Sequence, residues 1–259
     1  MTSRTYTSPA AFKQALEQRL KQRPDLARQR QLLIFDRFLA RVAGVLGEAV
    51  ILKGGLALEL RLQHARTTRD VDLRVAGSPD QVLKSLRDAG RLDLGDFLTF
   101  AVARDTRSSV IQNDGTRYEG IRFRAECRLA GKIYGSPFGV DVAFGDPIYG
   151  EPQSLRAKDV LYFAGIQSPT LRVYPVESHL AEKLHAYTMP RPHPNSRVKD
   201  LPDIALLATA GPLSAGDLAT ALDQTFNFRS THLLPTELPQ PPELWVAPYA
   251  AMARKNQLP

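Results

Sequence analysis

The sequence predicts an α/β (α+β) protein, a mixed sheet with helices followed by a mainly helical C-terminal half. Three observations predict it. Apolar residues recur at helical spacing from Leu32 to Leu46, behind a first helix opened at Ser8-Pro9. Two-residue alternation marks strands between residues 121 and 144. After Pro147 strand signals give way to helical ones.

Ser8-Pro9 opens the first helix, with serine as the cap and proline in the first turn, and Arg23-Pro24 breaks it. Leu32, Phe35, Phe38, Leu39, Val42 and Leu46 place a second helix over Leu26 to Leu46, ended by Gly47. Ala49 to Leu52 reads as a short apolar strand closed by Gly54-Gly55, with a helix over Leu56 to Leu62 behind it. Val71 to Val75 is a strand, and Ser78-Pro79-Asp80-Gln81 caps a helix that ends at Gly90. Strands follow over Phe97 to Ala103, Ile121 to Leu129 and Phe138 to Phe144. In the middle one, Arg122, Arg124, Glu126 and Arg128 share the polar face; in the last, Asp141 opposes Phe138, Val140, Val142 and Phe144. Helices are then expected over Glu177 to Thr188, Leu201 to Ala210 and Ala215 to Phe228, the last capped at Ser214. Thr231 to Glu243 is proline-rich, and a short helix closes the chain around Leu244 to Arg254. A boundary is placed between Asp146 and Leu155, dividing residues 1–150 from a helical unit of residues 151–259.

With 259 residues the chain can bury a sizeable core as one large or two small domains. No stretch approaches the roughly 18 apolar residues of a membrane span, and Met1 to Leu20 lacks a signal-type apolar run. Cys127 stands alone, so an internal disulfide is excluded; a reducing, cytoplasmic location is the expectation. The net charge of +7 favours an anionic partner.

The chemistry gathers around Lys53-Gly54-Gly55, followed after fourteen residues by Asp70-Val71-Asp72. Glycines between a strand and a helix let backbone N–H groups approach a phosphate, and the helix N-terminus adds partial positive charge. Asp70 and Asp72 are two apart on a strand and share a face. Two such carboxylates suit a divalent cation through oxygen ligands, and Asp141 is placed to be a third. Taken separately, the glycine pair reads as an ordinary turn and the Asp-x-Asp pair as a solvated face. Their joint order, directly behind Arg66-Thr67-Thr68-Arg69, favours a site.

Lys53-Gly54-Gly55-Leu56-Ala57-Leu58 with Thr67-Thr68-Arg69-Asp70-Val71-Asp72-Leu73 resembles the AbiEii/AbiGii-type toxin branch of the polymerase-beta-like nucleotidyltransferase superfamily. Val140-Asp141-Val142-Ala143-Phe144-Gly145-Asp146 resembles its third-aspartate strand. Glu182-Lys183-Leu184-His185-Ala186-Tyr187 followed by Arg197-Val198-Lys199-Asp200-Leu201 resembles its second signature and narrows the likeness to this branch. Gly55 departs from the serine common in the superfamily, which removes a hydroxyl and keeps the backbone donors.

The resemblance implies a nucleotidyltransferase toxin of a toxin–antitoxin pair, moving a nucleoside monophosphate from a triphosphate to the 3′ end of tRNA and so blocking translation. It implies Gly54 and Gly55 around the triphosphate, and Asp70, Asp72 and Asp141 on magnesium in a two-metal site. Asp141 would also help deprotonate the acceptor hydroxyl, Lys183 would reach the phosphates, and Asp200 would orient the nucleotide or Lys183. On this reading Lys183→Met lowers turnover with little change in melting temperature. The partners implied are a nucleoside triphosphate, an RNA acceptor and a cognate antitoxin, with no membrane. The rival readings are a small-molecule acceptor such as an aminoglycoside, a protein acceptor of AMP, and a non-catalytic binding module of the same fold. Arg122, Arg124 and Arg128 on one strand face, and Arg191, His193, Arg197 and Lys199 around the second signature, are the candidate RNA contacts or else solvated surface. His185 reads as structural or solvated rather than catalytic.

Overall fold

A computed structural model describes residues 5–62, 65, 67–106, 120–145, 147–191, 197–256 and 258. The chain begins with α1 (Pro9–Leu20) and α2 (Leu26–Leu46), followed by β1 (Val50–Lys53), α3 (Gly54–Arg61), β2 (Val71–Val75) and α4 (Pro79–Arg91). Next come β3 (Leu98–Arg104), β4 (Gly120–Leu129), β5 (Lys132–Ile133), β6 (Phe138–Ala143), β7 (Gln153–Arg156) and β8 (Thr170–Val173). The helices α5 (Val176–Thr188), α6 (Asp200–Thr209), α7 (Ala215–Arg229) and α8 (Val246–Asn256) complete it.

The capping expectation holds at α4, where Ser78 and Gln81 form a reciprocal box, and at α7, where Ser214 accepts from Asp217 N. At α1, proline occupies the first turn but the Ser8 side chain makes no capping bond. α3 begins at Gly54, two residues before the sequence suggested, so the glycine pair forms the first turn of the helix itself.

The strands make one mixed sheet in the order β3-β4-β6-β2-β1-β8-β7, with β5 on β4. β2 runs antiparallel to β1 and parallel to β6, which in turn runs antiparallel to β4. One face packs on the leading helices. Val71, Leu73 and Val75 of β2, Val140 and Val142 of β6, and Phe123 and Ala125 of β4 share a core with Phe35, Phe38, Val42 and Leu86. Alternation then turns Asp72, Arg74, Arg122 and Asp141 to the other face.

The strand signal does not end at Pro147. β7 and β8 extend the sheet, and Tyr174 N donates to Leu52 O (2.9 Å) where β8 joins β1. A second, smaller core of Leu58, Leu180, Leu184 and Leu207 joins α3 to α5 and α6. α3 therefore touches both cores, with Leu56 and Ala57 in the first and Leu58 in the second.

Candidate active site

The register of four adjacent strands builds the site. Lys53 on β1 lies opposite Asp72 on β2, Asp72 opposite Asp141 on β6, and Asp141 opposite Arg122 on β4. Residues opposite one another in a ladder point to the same face. The four side chains thus form one row, cation, carboxylate, carboxylate, cation, along the face away from the leading helices.

Gly54 is required where this row meets α3. Its φ of 66° is in the left-handed region, which costs any residue with a Cβ roughly 1–2 kcal/mol. A Cβ there would also fall inside the Asp72 carboxylate, which rests against the Gly54 backbone. Gly54→Ala should therefore displace Asp72. Transfer should fall by about a hundredfold, the scale of an ångström-sized misplacement in a site. Labelled transfer beside a thermal melt checks this, and wild-type transfer by the variant would show that the close approach is dispensable.

Gly139 makes the equivalent space for Asp70. A Cβ on Gly139 would stand 2.7 Å from Asp70 Oδ1 and 3.7 Å from Arg122 Nε. The segment leading into Asp70 is clamped from two helices. Arg28 of α2 donates to Thr68 O (2.7 Å), Thr68 N donates to Glu59 Oε1 of α3 (2.7 Å), and Arg28 pairs with Glu59. Thr67 N also donates to Asn256 Oδ1 of α8 (2.9 Å). The backbone ahead of the Asp-x-Asp pair is thus fixed by groups from both ends of the chain.

Burial pushes the Asp72 carboxyl up to about 6; neighbouring Asp141 adds to the rise, and Lys183 and Lys53 oppose it. Lys53 is itself buried, with Nζ 2.8 Å from Glu182 Oε1 and 5.0 Å from the centre of the Tyr174 ring. Tyr174 OH donates to the same Glu182 oxygen (2.9 Å), and Arg229 Nη2 lies 3.5 Å from it. Burial alone would raise the Glu182 carboxyl, but Lys53 and Arg229 outweigh it and hold it below the ordinary range.

Lys183 projects from α5 between two buried carboxylates of α6, with Nζ 2.8 Å from Asp200 Oδ1 and 2.9 Å from Asp203 Oδ2. Arg197 Nη1 lies 3.5 Å from Asp200 Oδ2. Asp200 thus pairs with Lys183. Asp203, three residues along α6, is a second partner that the sequence reading missed.

His179, one turn before Lys183, is also buried and was not anticipated. Among the described residues neither ring nitrogen has a hydrogen-bond partner, and burial first, then Lys183, brings its pKa down to about 3. His185 is structural, as expected: it is buried, with Nε2 2.9 Å from the Thr231 hydroxyl and its ring against Phe226.

The arginine stripe on β4 is not a free cationic surface. Arg122 is held by both Asp141 oxygens (2.6 Å each), and Arg128 pairs with Glu126 at 3.0 Å. The hydrogen bonds to Asp141 raise the Arg122 pKa. Arg124 keeps its exposure. Arg66, Asp146 and His193, named from the sequence, lie outside the described residues.

Among the described residues no three histidine, cysteine, aspartate or glutamate side chains form a ready metal cage. The adjacent Asp72 and Asp141 carboxylates still fit a hard divalent cation, because magnesium takes few protein ligands and completes its shell from substrate phosphates and water. Burial first, and Asp141 second, raise the Asp72 pKa and so disfavour its ionised form, which a bound cation would stabilise.

Residues 37–258 match the family described as "Nucleotidyl transferase AbiEii toxin, Type IV TA system". Among solved structures, the chain is similar to MenT4, a nucleotidyltransferase toxin from Mycobacterium tuberculosis H37Rv. That match has a TM-score of 0.60 and 16% identity, covering 97% of this chain and 88% of that one. It shows a shared fold. JHP933 from Helicobacter pylori matches with a TM-score of 0.45 and 15% identity, over 89% of this chain and 91% of that one. No curated protein matches the sequence.

Proposed function

Because the chain belongs to the AbiEii family of nucleotidyltransferase toxins of type IV toxin–antitoxin systems, we propose that it transfers a nucleoside monophosphate to the 3′ end of tRNA and so blocks translation. Membership in the family implies a nucleotide substrate and an antitoxin partner. The observation that carries the reading is the row of Lys53, Asp72 and Asp141 in register beside the Gly54 turn.

The Gly54-Gly55 backbone at the head of α3 binds the triphosphate through N–H groups and the helix dipole. Asp70, Asp72 and Asp141 are the proposed metal ligands. Bound magnesium would supply Lewis-acid neutralisation of the transferring phosphate. Asp141 is the proposed acceptor of the attacking hydroxyl's proton. Lys183, its ammonium fixed by Asp200 and Asp203, contributes positive charge where charge builds in the transition state. The net charge of +7 and exposed Arg124 support an anionic acceptor. No described helix is long and apolar enough to cross a membrane, and the cytoplasm, which holds both tRNA and triphosphates, is the proposed place of action.

Incubation with each α-labelled triphosphate, magnesium and total RNA tests this, with an aminoglycoside and mixed protein as competing acceptors. Label is expected at RNA 3′ ends, and chelation should abolish it. Label entering the aminoglycoside or protein and not RNA overturns the acceptor assignment. Undiminished transfer in chelator overturns metal dependence.

A further inference from the structure

Among the described residues, Lys53, Lys183 and Arg122 are cations near the site carboxylates, and these three are not held alike. Lys53 and Lys183 have side chains only 7% and 13% exposed, held by Glu182 in the first case and by the buried Asp200 and Asp203 in the second. Arg122 is 35% exposed, at the open end of the row. Its Nε and Nη2 each lie 2.6 Å from a different Asp141 oxygen, a two-pronged, charge-assisted pair. The same guanidinium approaches Asp70 over Gly139, since the position of a Gly139 Cβ is close to both. Arg122 therefore supplies positive charge where a metal ion would, and of the three cations it has the most room to leave.

Its place in the row also gives a direction. The triphosphate turn at Gly54 follows β1, and Arg122 lies on β4, three strands away, a separation of about 14 Å at the usual strand spacing. In an in-line displacement the attacking and leaving oxygens lie on opposite sides of the reacting phosphorus. With the leaving pyrophosphate toward Gly54, the acceptor approaches from the β4 side. Arg124 stands exposed two residues along the same face of β4.

We propose that Arg122 is an exchangeable counterion: it occupies Asp141 in the metal-free protein, gives it up on metal loading, and then binds a backbone phosphate beside the acceptor hydroxyl of RNA. The acceptor part rests on the function proposed above; the exchange at Asp141 rests only on the metal assignment.

Full-length Arg122→Gln and Arg122→Lys variants test it. Titration with Mn2+ alone, followed by the spin resonance of free Mn2+, should show Arg122→Gln binding about fivefold tighter than wild type, the scale of releasing a partly exposed ion pair. In labelled transfer, its KM for RNA should rise about tenfold, the scale of one lost charge-assisted hydrogen bond, with the KM for triphosphate unchanged. Arg122→Lys keeps the charge without the fork and should recover part of the RNA KM. Equal or weaker Mn2+ binding by Arg122→Gln overturns the exchange, and an unchanged RNA KM overturns the acceptor contact. The Mn2+ titration needs no acceptor, so it decides the exchange even if RNA is never labelled. Wild-type Mn2+ binding by Asp72→Asn would instead sink the metal assignment, and the exchange with it.

Discussion

Transfer by Asp72→Asn should fall by about a thousandfold or more, while the metal-free protein becomes more stable. The first effect follows from removing a proposed ligand at the centre of the row, since a catalytic metal supplies several kcal/mol of charge stabilisation. The second follows from the carboxyl itself. Burial, reinforced by Asp141, pushes Asp72 up to about 6 from its ordinary 3.8. A group whose folded pKa is raised favours folding when protonated, and that contribution is lost as pH rises through the folded value. Above about pH 6 the ionised Asp72 thus opposes folding, by on the order of 1–3 kcal/mol. Below about pH 4 it is protonated in both states and the penalty vanishes. Thermal melts in chelator should show Asp72→Asn above wild type at pH 8, with the gap closing as pH falls toward 4. A variant that loses activity and also melts lower at pH 8 would mean that Asp72 is a structural carboxylate satisfied by Lys53 and Lys183.

Much of the candidate site's geometry is legible in the sequence because its parts are local. The two-residue period places Asp72 opposite Val71 and Leu73, and α4 announces itself through a capping box of adjacent residues. What was not legible depends on register between distant segments. Arg122, Arg124 and Arg128 were read as one stripe, and they do share a face, but only the β4–β6 ladder sets Arg122 against Asp141. Lys53 finds Glu182 across 129 residues of sequence. The clamp of Arg28, Glu59 and Thr68 joins two helices to the segment before β2, and no local pattern pairs the three residues. β7 is largely exposed and shows no apolar alternation, so nothing in Gln153–Arg156 distinguishes it from a loop. Two further signals stand in the sequence itself. Gly139 interrupts an alternating strand, which marks a close approach, here that of Asp70. Asp203 stands three residues after Asp200, the spacing that puts both on one face of a helix.

That last pair changes what Lys183→Met should do. Read from the sequence, Lys183 reaches the phosphates and its loss spares the fold. In the structure it is the shared partner of two carboxylates with almost no exposure, Asp200 and Asp203. Removing one member of a buried ion group leaves uncompensated charge and typically costs about 3–5 kcal/mol. Lys183→Met alone should therefore melt well below wild type, and its inactivity would say nothing about chemistry. Lys183→Met combined with Asp203→Asn separates the two roles. The second change removes one stranded carboxylate and leaves Asp200 beside Arg197, so much of the lost stability should return. Transfer should stay down by about a hundredfold, the scale of a lost electrostatic stabiliser, because the Lys183 ammonium is gone. Melting temperature and labelled transfer, measured together on wild type, Asp203→Asn, Lys183→Met and the double variant, decide it. Recovery of both stability and transfer in the double variant would make Lys183 a folding residue alone and leave the chemistry to the sheet. Recovery of stability without transfer would place its charge in the reaction.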